Sequence, residues 1–310
     1  MKNAILWCAP AIIIAAVVIF FWYPGLIIEL LKHVSRWKAG LSRHEVRVDD
    51  HGWVYLGGGE GEAVILLHGF GGEKDRWVDF LQGFDRRRFR VVVPDLPGFG
   101  ESSYLPGSSY DICGQVTRLD RFVERIGLER FHIIGVSMGG CIAGVYAAQH
   151  PDKVMSLCLM DAAGVRSPVS SELSRLRQEQ QRSLLVVRDA DGFKNLVSFM
   201  FYQPPRLPER FAACLGGQAA ARSRINAKIL NDIRKDGEYL LEDRLSDLTM
   251  RTLVMWGADD RIFHVSTAEK TNESLPRCQS VIIGQCGHLP YQEKPAEAQK
   301  IYFTFLAAAS

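Results

Sequence analysis

Charge of one sign is what this sequence lacks most plainly: 37 Lys and Arg stand against 35 Asp and Glu in 310 residues, a formal net charge of +2. Such a balance exerts no long-range pull on a polyanion, and no basic run with interleaved aromatics appears where the chemistry lies, so no nucleic-acid partner is expected. Cysteine is sparse and unpatterned. Cys8, Cys113, Cys141, Cys158, Cys214, Cys278 and Cys286 form no C-x-x-C pair and no regular framework. That argues against a zinc site and a disulfide scaffold, and small buried thiols are the expectation. The eight histidines include no H-E-x-x-H pair, so no metal cofactor is expected either. Internal repeats and low-complexity tracts are absent. With 47% hydrophobic and 23% charged residues, what remains suits one large packed α/β domain plus an accessory segment.

Only one hydrophobic run is long. From Ala4 to Tyr23 the chain is apolar or aromatic apart from Pro10, roughly the 20 residues that cross a bilayer as a helix. Trp7 at one end and Trp22 and Tyr23 at the other stand where aromatics prefer the headgroup region. A cleaved signal peptide is the rival reading, but its apolar core is ordinarily about 7–15 residues and ends at a small-residue site that is missing here. Pro24 and Gly25 mark a bend. Beyond them Ile27, Leu30, Leu31 and Val34 recur at helical spacing opposite Glu29, Lys32, His33 and Arg36. This predicts an amphipathic helix lying along a membrane surface or packed on the domain. Lys32, Arg36, Lys38 and Arg43 follow the run and only Lys2 precedes it, so the positive-inside count places the domain in the cytoplasm.

A strand pair is expected around Glu45 to Val48 and Trp53 to Leu56, then buried strands at Ala63 to Leu67, Arg90 to Val93, Phe131 to Val136 and Val154 to Met160. Helices are expected from Ile112, stopping at Gly127, and from Met138 to Gln149. Such alternation implies parallel strands with helices on both faces and reactive groups beyond the strands' carboxyl ends. It breaks over 164–248, read as an inserted helical cap, and resumes with Thr252 to Trp256, Ser280 to Ile283 and a last helix from Pro295. The organisation expected is an anchor over 1–25, a juxtamembrane helix over 26–40, the α/β core over 41–163 and 249–310, and the cap between its halves.

Gly135-Val136-Ser137-Met138-Gly139 is a G-x-S-x-G motif between a predicted strand and helix, the context of a nucleophile elbow with Ser137 exposed on its turn. A serine hydroxyl needs a base to take its proton and a carboxylate to orient that base, in the chain order Ser, Asp, His. His288, in a glycine-flanked loop after the last strand, is the candidate base. Asp260 is the candidate acid, with the adjacent Asp259 as a turn residue or rival. An oxyanion would meet the N–H of Met138 and one from the loop after Ala63 to Leu67, that of Phe70 or alternatively Gly71.

These motifs, with Pro94 to Ser102 (PDLPGFGES) and Trp256 to Asp260 (WGADD), resemble the α/β-hydrolase superfamily over residues 45–308. Ser137 to Ala148 and the N-terminal run resemble the membrane-anchored monoacylglycerol lipases. Tyr202 to Pro208 is similar to the cap of bacterial family V lipases, and the whole to a bacterial membrane-bound phospholipase A. The resemblance implies an α/β-hydrolase fold with helical cap and transmembrane anchor. It implies hydrolysis of lipid acyl esters through Ser137, Asp260 and His288, with Phe70 and Met138 at the oxyanion and no cofactor. The partners implied are a lipid or fatty-acyl ester and the bilayer, with homodimerisation through the anchor or juxtamembrane helix as a further expectation. A periplasmic domain on a bacterial inner membrane is also implied, against the positive-inside count. Serine at the elbow separates the chain from epoxide hydrolases and haloalkane dehalogenases, which carry aspartate there. Meta-cleavage C–C hydrolases, a short-chain esterase and a non-catalytic scaffold on the same fold stay open as alternatives.

Overall fold

The computed structural model describes residues 22–180, 183–237 and 239–308. Two antiparallel strands, β1 (Ser42–Val48) and β2 (His51–Gly58), open the sheet; Asp49, at φ 50°, takes the left-handed turn between them. β3 (Glu62–Leu67), β4 (Phe89–Pro94), β5 (Phe131–Val136), β6 (Val154–Met160), β7 (Arg251–Gly257) and β8 (Cys278–Ile283) follow in parallel. The spatial order is β1-β2-β4-β3-β5-β6-β7-β8, with β2 antiparallel to β4. The chain leaves β3 toward β4 on one side and returns to β5 on the other. The loops after β3 and β5 therefore diverge at one point, and open α/β sheets bind ligands in such a crevice. β5 is buried along its whole length, as a strand covered on both faces must be.

One face is covered by α3 (Ile112–Arg125), α4 (Met138–Gln149) and α9 (Ser266–Glu273), the other by α2 (Val78–Leu81) with the 3-10 turn before it, α10 (Pro290–Glu293) and α11 (Pro295–Ala307). α3 shows how the sequence writes a helix here. Asp111 caps it by accepting the Gly114 N–H at 2.6 Å. Ile112, Val116, Leu119 and Val123 then fall on one buried stripe, and Gly127 at φ 69° takes the chain out. Burying each such side chain contributes about 1.5–3 kcal/mol. Trp53 stacks on Phe122 at 4.4 Å and Trp77 on Tyr291 at 3.9 Å, one pair in each face's core.

Between β6 and β7 the described residues hold helices and no strand: α5 (Glu172–Gln180), α6 (Ala190–Met200), α7 (Glu209–Ala221) and α8 (Ser223–Ile233), then short 3-10 turns.

The first described helix, α1 (Pro24–Lys38), begins on Pro24, a residue suited to a first helical turn, two residues before the expected start. Its orientation corrects one of the two expectations for its apolar stripe. The domain takes the charged side: Arg36 is buried and pairs through Nη2 with Asp75 Oδ2 at 2.7 Å, and Lys32 meets Glu73 at 3.0 Å. The stripe instead faces mostly outward: Leu30, Leu31 and Val34 are exposed, Leu30 by 63%, with Ile27 half-buried, and Leu26 and Trp37 beside them are exposed too. Lys and Arg normally keep their charged heads in water, but here acidic partners on the domain outweigh that preference. No described helix is long and apolar enough to cross a membrane, and the run from Ala4 lies outside the described residues except for Trp22 and Tyr23. The thiols are a second correction. Cys141, Cys158 and Cys286 are buried, but Cys113 is exposed and Cys214 and Cys278 half-exposed, each free; Cys8 lies outside the described residues.

Candidate active site

β5 ends on Val136, and the next residue must reverse the chain into α4. Ser137 does so at φ 55°, ψ −122°, a left-handed conformation that costs a non-glycine residue about 1–3 kcal/mol. Hydrogen bonds hold it there: Ser137 N–H donates to Met160 O, and Ser137 O accepts from Ala163 and Cys141 N–H, all at 3.0–3.1 Å. The flanking glycines are steric necessities. A Cβ on Gly139 would stand 2.5 Å from the Leu67 and His68 carbonyl oxygens, and one on Gly135 would run into the Gly139 carbonyl. Ser137 is left half-exposed, and a Cβ on Gly69 of the neighbouring loop would lie 3.6 Å from its Oγ.

Asp260 and His288 arrive from the ends of β7 and β8. His288 Nδ1 donates to Asp260 Oδ2 at 2.9 Å, and both residues are buried. Asp260 Oδ1 accepts the N–H of Ile262 at 2.7 Å and of Phe263 at 3.1 Å, which fixes the carboxylate plane. The neighbouring Asp259 is exposed. His288 N–H donates to Met200 O at 2.8 Å, tying the histidine loop to the end of α6. Glu293 completes that tie by accepting Gly287 N–H and Tyr202 N–H, each at 2.8 Å. Of the insertion's aromatics, Phe199 is buried beneath Arg261 and Tyr202 is exposed.

The third loop, after β3, carries Gly69, the half-buried Phe70, and Gly71 at φ 69°. Met138 opens α4, and a helix's first N–H groups have no intrahelical acceptor. His68 organises this loop. Its Nδ1–H donates to Gly69 O at 2.8 Å and its Nε2 accepts Leu96 N–H at 3.0 Å, which defines the neutral tautomer. Burial lowers the His68 pKa in keeping with that.

A family model described as the alpha/beta hydrolase fold matches residues 62–295. The chain belongs to the α/β-hydrolase family. Monoacylglycerol lipase abhd6-B of Xenopus laevis is 30% identical over 99% of this chain and 90% of its own length. Lipase 1 of Psychrobacter immobilis is 32% identical over 79% of this chain and 77% of its own. A crystal structure of a membrane phospholipase A, described as a bacterial virulence factor, is 40% identical with a TM-score of 0.89, covering 99% of both chains. The ester-hydrolase expectation agrees with all three.

Two features of this α/β-hydrolase's site went unread in the sequence. Lys74, fully buried, gives its Nζ to Asp95 Oδ2 at 2.9 Å and to Glu101 Oε1 at 2.5 Å, and its N–H to Asp95 Oδ1 at 2.6 Å. Burial opposes the Lys74 ammonium, but these carboxylates override it and hold its pKa above the ordinary value. Because Asp75 pairs with Arg36 of α1, one ion network runs from that helix to the segment that follows the Phe70 loop. The second is Asp161, buried at the end of β6 beside Asp260. A charged residue inside a PDLPGFG loop or closing an apolar strand was the available signal.

Proposed function

We propose that this chain hydrolyses acyl esters of lipids, with Ser137 as nucleophile, His288 as general base and acid, and Asp260 as the carboxylate that orients it. The observation that carries the reading is Ser137 held at φ 55° on the elbow while a buried aspartate fixes the neighbouring strand's histidine. His288 takes the Ser137 proton as Oγ attacks the acyl carbon, and the N–H groups of Phe70 and Met138 receive the oxyanion. The leaving alcohol carries away the proton from His288. Water, deprotonated by the same imidazole, then cleaves the acyl-enzyme and releases the fatty acid. None of these steps calls on a cofactor. The helical insertion over 164–248 serves as the cap over this site, joined to the histidine loop through Met200 and Glu293.

Membrane attachment is part of the proposal. The apolar run from Ala4 leads into α1, whose outward stripe of Leu26, Leu30, Leu31 and Trp37 suits the interfacial region of a bilayer. The bacterial membrane phospholipase A favours phospholipid or lysophospholipid as substrate, and the Xenopus lipase favours monoacylglycerol as the second reading. Covalent labelling by a fluorophosphonate, located by peptide mass mapping, tests the chemistry. Adduct on Ser137 alone supports it; labelling that persists in Ser137→Ala, or none in the wild type, removes the serine mechanism and favours a scaffold.

A further inference from the structure

Asp161 has no task in the cycle above, yet it stands where the triad carboxylate does, at the end of the adjacent strand. It is fully buried, at φ 42°, its N–H held by Met255 O at 3.0 Å. One of its carboxyl oxygens, Oδ1, accepts Gly257 N–H at 2.9 Å. The other, Oδ2, is enclosed and receives no hydrogen bond from any donor among the described residues. Polar atoms of Asp161, Asp260 and His288 lie within 4.8 Å of one another. A carboxylate in that position would be a buried charge with one amide donor, beside a second negative charge already paired to the histidine. Two acids sharing a buried site do not both ionise.

A neutral acid fits instead. It has one O–H to give, and an ionised carboxylate has roughly four acceptor positions. Asp260 uses three of its own, on Ile262 N–H, Phe263 N–H and His288 Nδ1–H.

We propose that Asp161 is a protonated carboxylic acid whose O–H donates to Asp260, making it a positioning residue for the triad carboxylate. The inference rests on the serine-hydrolase reading of the site. The bond adds a fourth hydrogen bond to the three on Asp260, and this one comes from the β6 side. Neutrality matters as much as the bond, because it leaves Asp260 as the one carboxylate charge set against His288 in this buried cluster. Among the described residues, the ionisable groups facing Asp161 are Asp260 from the β7 loop, His288 and Cys286 from the β8 loop, Glu293 from α10 and Cys158 from its own strand, none a permanent cation. Burial first, and then the Asp260 charge, raise the Asp161 pKa well above the carboxylate range, consistent with the geometry.

The test compares Asp161→Leu with Asp161→Asn on a soluble p-nitrophenyl ester over a range of pH. The leucine variant removes the donor and should lower kcat about tenfold with KM held. Asparagine restores an uncharged donor, and should recover most of that loss with the acid limb of kcat/KM left within about 0.3 pH unit of wild type. An acid limb moved down by about one unit in Asp161→Asn would mean that a negative charge was removed, and would overturn the proposal. So would a leucine variant with wild-type kcat. Infrared spectroscopy of the full chain gives a readout independent of turnover and of whether the leucine variant folds. The carbonyl stretch of a protonated carboxylic acid should be present in wild type and Ser137→Ala and lost in Asp161→Asn, and an unchanged spectrum would overturn the assignment. If Ser137→Ala left hydrolysis intact, the serine reading would fall, while the infrared band would still decide the state of Asp161.

Discussion

A serine at φ 55° is held by its surroundings, and the three backbone bonds around Ser137 persist whatever side chain it carries. Ser137→Ala is therefore expected to fold with an unchanged melting temperature and to lose roughly 10⁶-fold in kcat. Asp260→Asn should cost about 10⁴-fold, because an amide facing His288 Nδ1 favours the wrong tautomer; steady-state kinetics on a soluble ester read both. The triad candidates were legible in the sequence because each lies in a short motif at a strand end, where glycines leave few conformations. Asp161 was not, because its role depends on β6 lying next to β7, a neighbour relation that chain order does not spell out. His68 belonged to a recognised glycine-rich loop, but its tautomer rests on a bond to Leu96, in the loop after a different strand.

At the scale of elements, α1 is tied to the domain by the ion pairs Lys32–Glu73 and Arg36–Asp75. Arg36→Ala leaves Asp75 buried without its guanidinium partner, and should cost about 3 kcal/mol in denaturant unfolding, with Arg36→Lys intermediate because it keeps the charge and loses the fork. Burial raises the pKa of Asp75 and Glu101, but Arg36 acting on Asp75, and Lys74 and Arg43 on Glu101, outweigh it and leave both below their ordinary values. Their stabilisation is therefore fully present above the unfolded carboxylate range, about pH 4, and is lost as pH falls through the lower folded values. Tryptophan fluorescence should show Arg36→Ala losing less stability than wild type over that acid window. The sequence revealed the amphipathic pattern of α1 but not which face would turn inward, since that was decided by Asp75, Glu73 and Glu101 on distant segments. Glu293 is the corresponding tie on the insertion. Glu293→Gln turns an amide donor toward Gly287 or Tyr202 N–H, costs about 1–3 kcal/mol locally, and should speed proteolysis near Tyr202.

For the whole molecule, the strand–helix alternation was readable because β3 to β7 are short apolar runs cut by glycine and proline, and local signals of that kind survive folding. What lay beyond reach was that an ion network would tie the N-terminal helix to the segment after the Phe70 loop and that the insertion would be bonded to the histidine loop. The outward stripe of α1 predicts that a chain starting at Pro24 still binds anionic liposomes in flotation, and that Leu30→Ser with Trp37→Ser abolishes this without changing turnover of a soluble ester. The most direct measurement is fatty-acid release from liposomes that contain phospholipid, lysophospholipid or monoacylglycerol, comparing the full chain with Ser137→Ala. The expected result is release by the wild type from at least one of these lipids and none by the variant. Equal release from both proteins, or none from any lipid by a wild type that labels at Ser137, would contradict lipid-ester hydrolysis at this site.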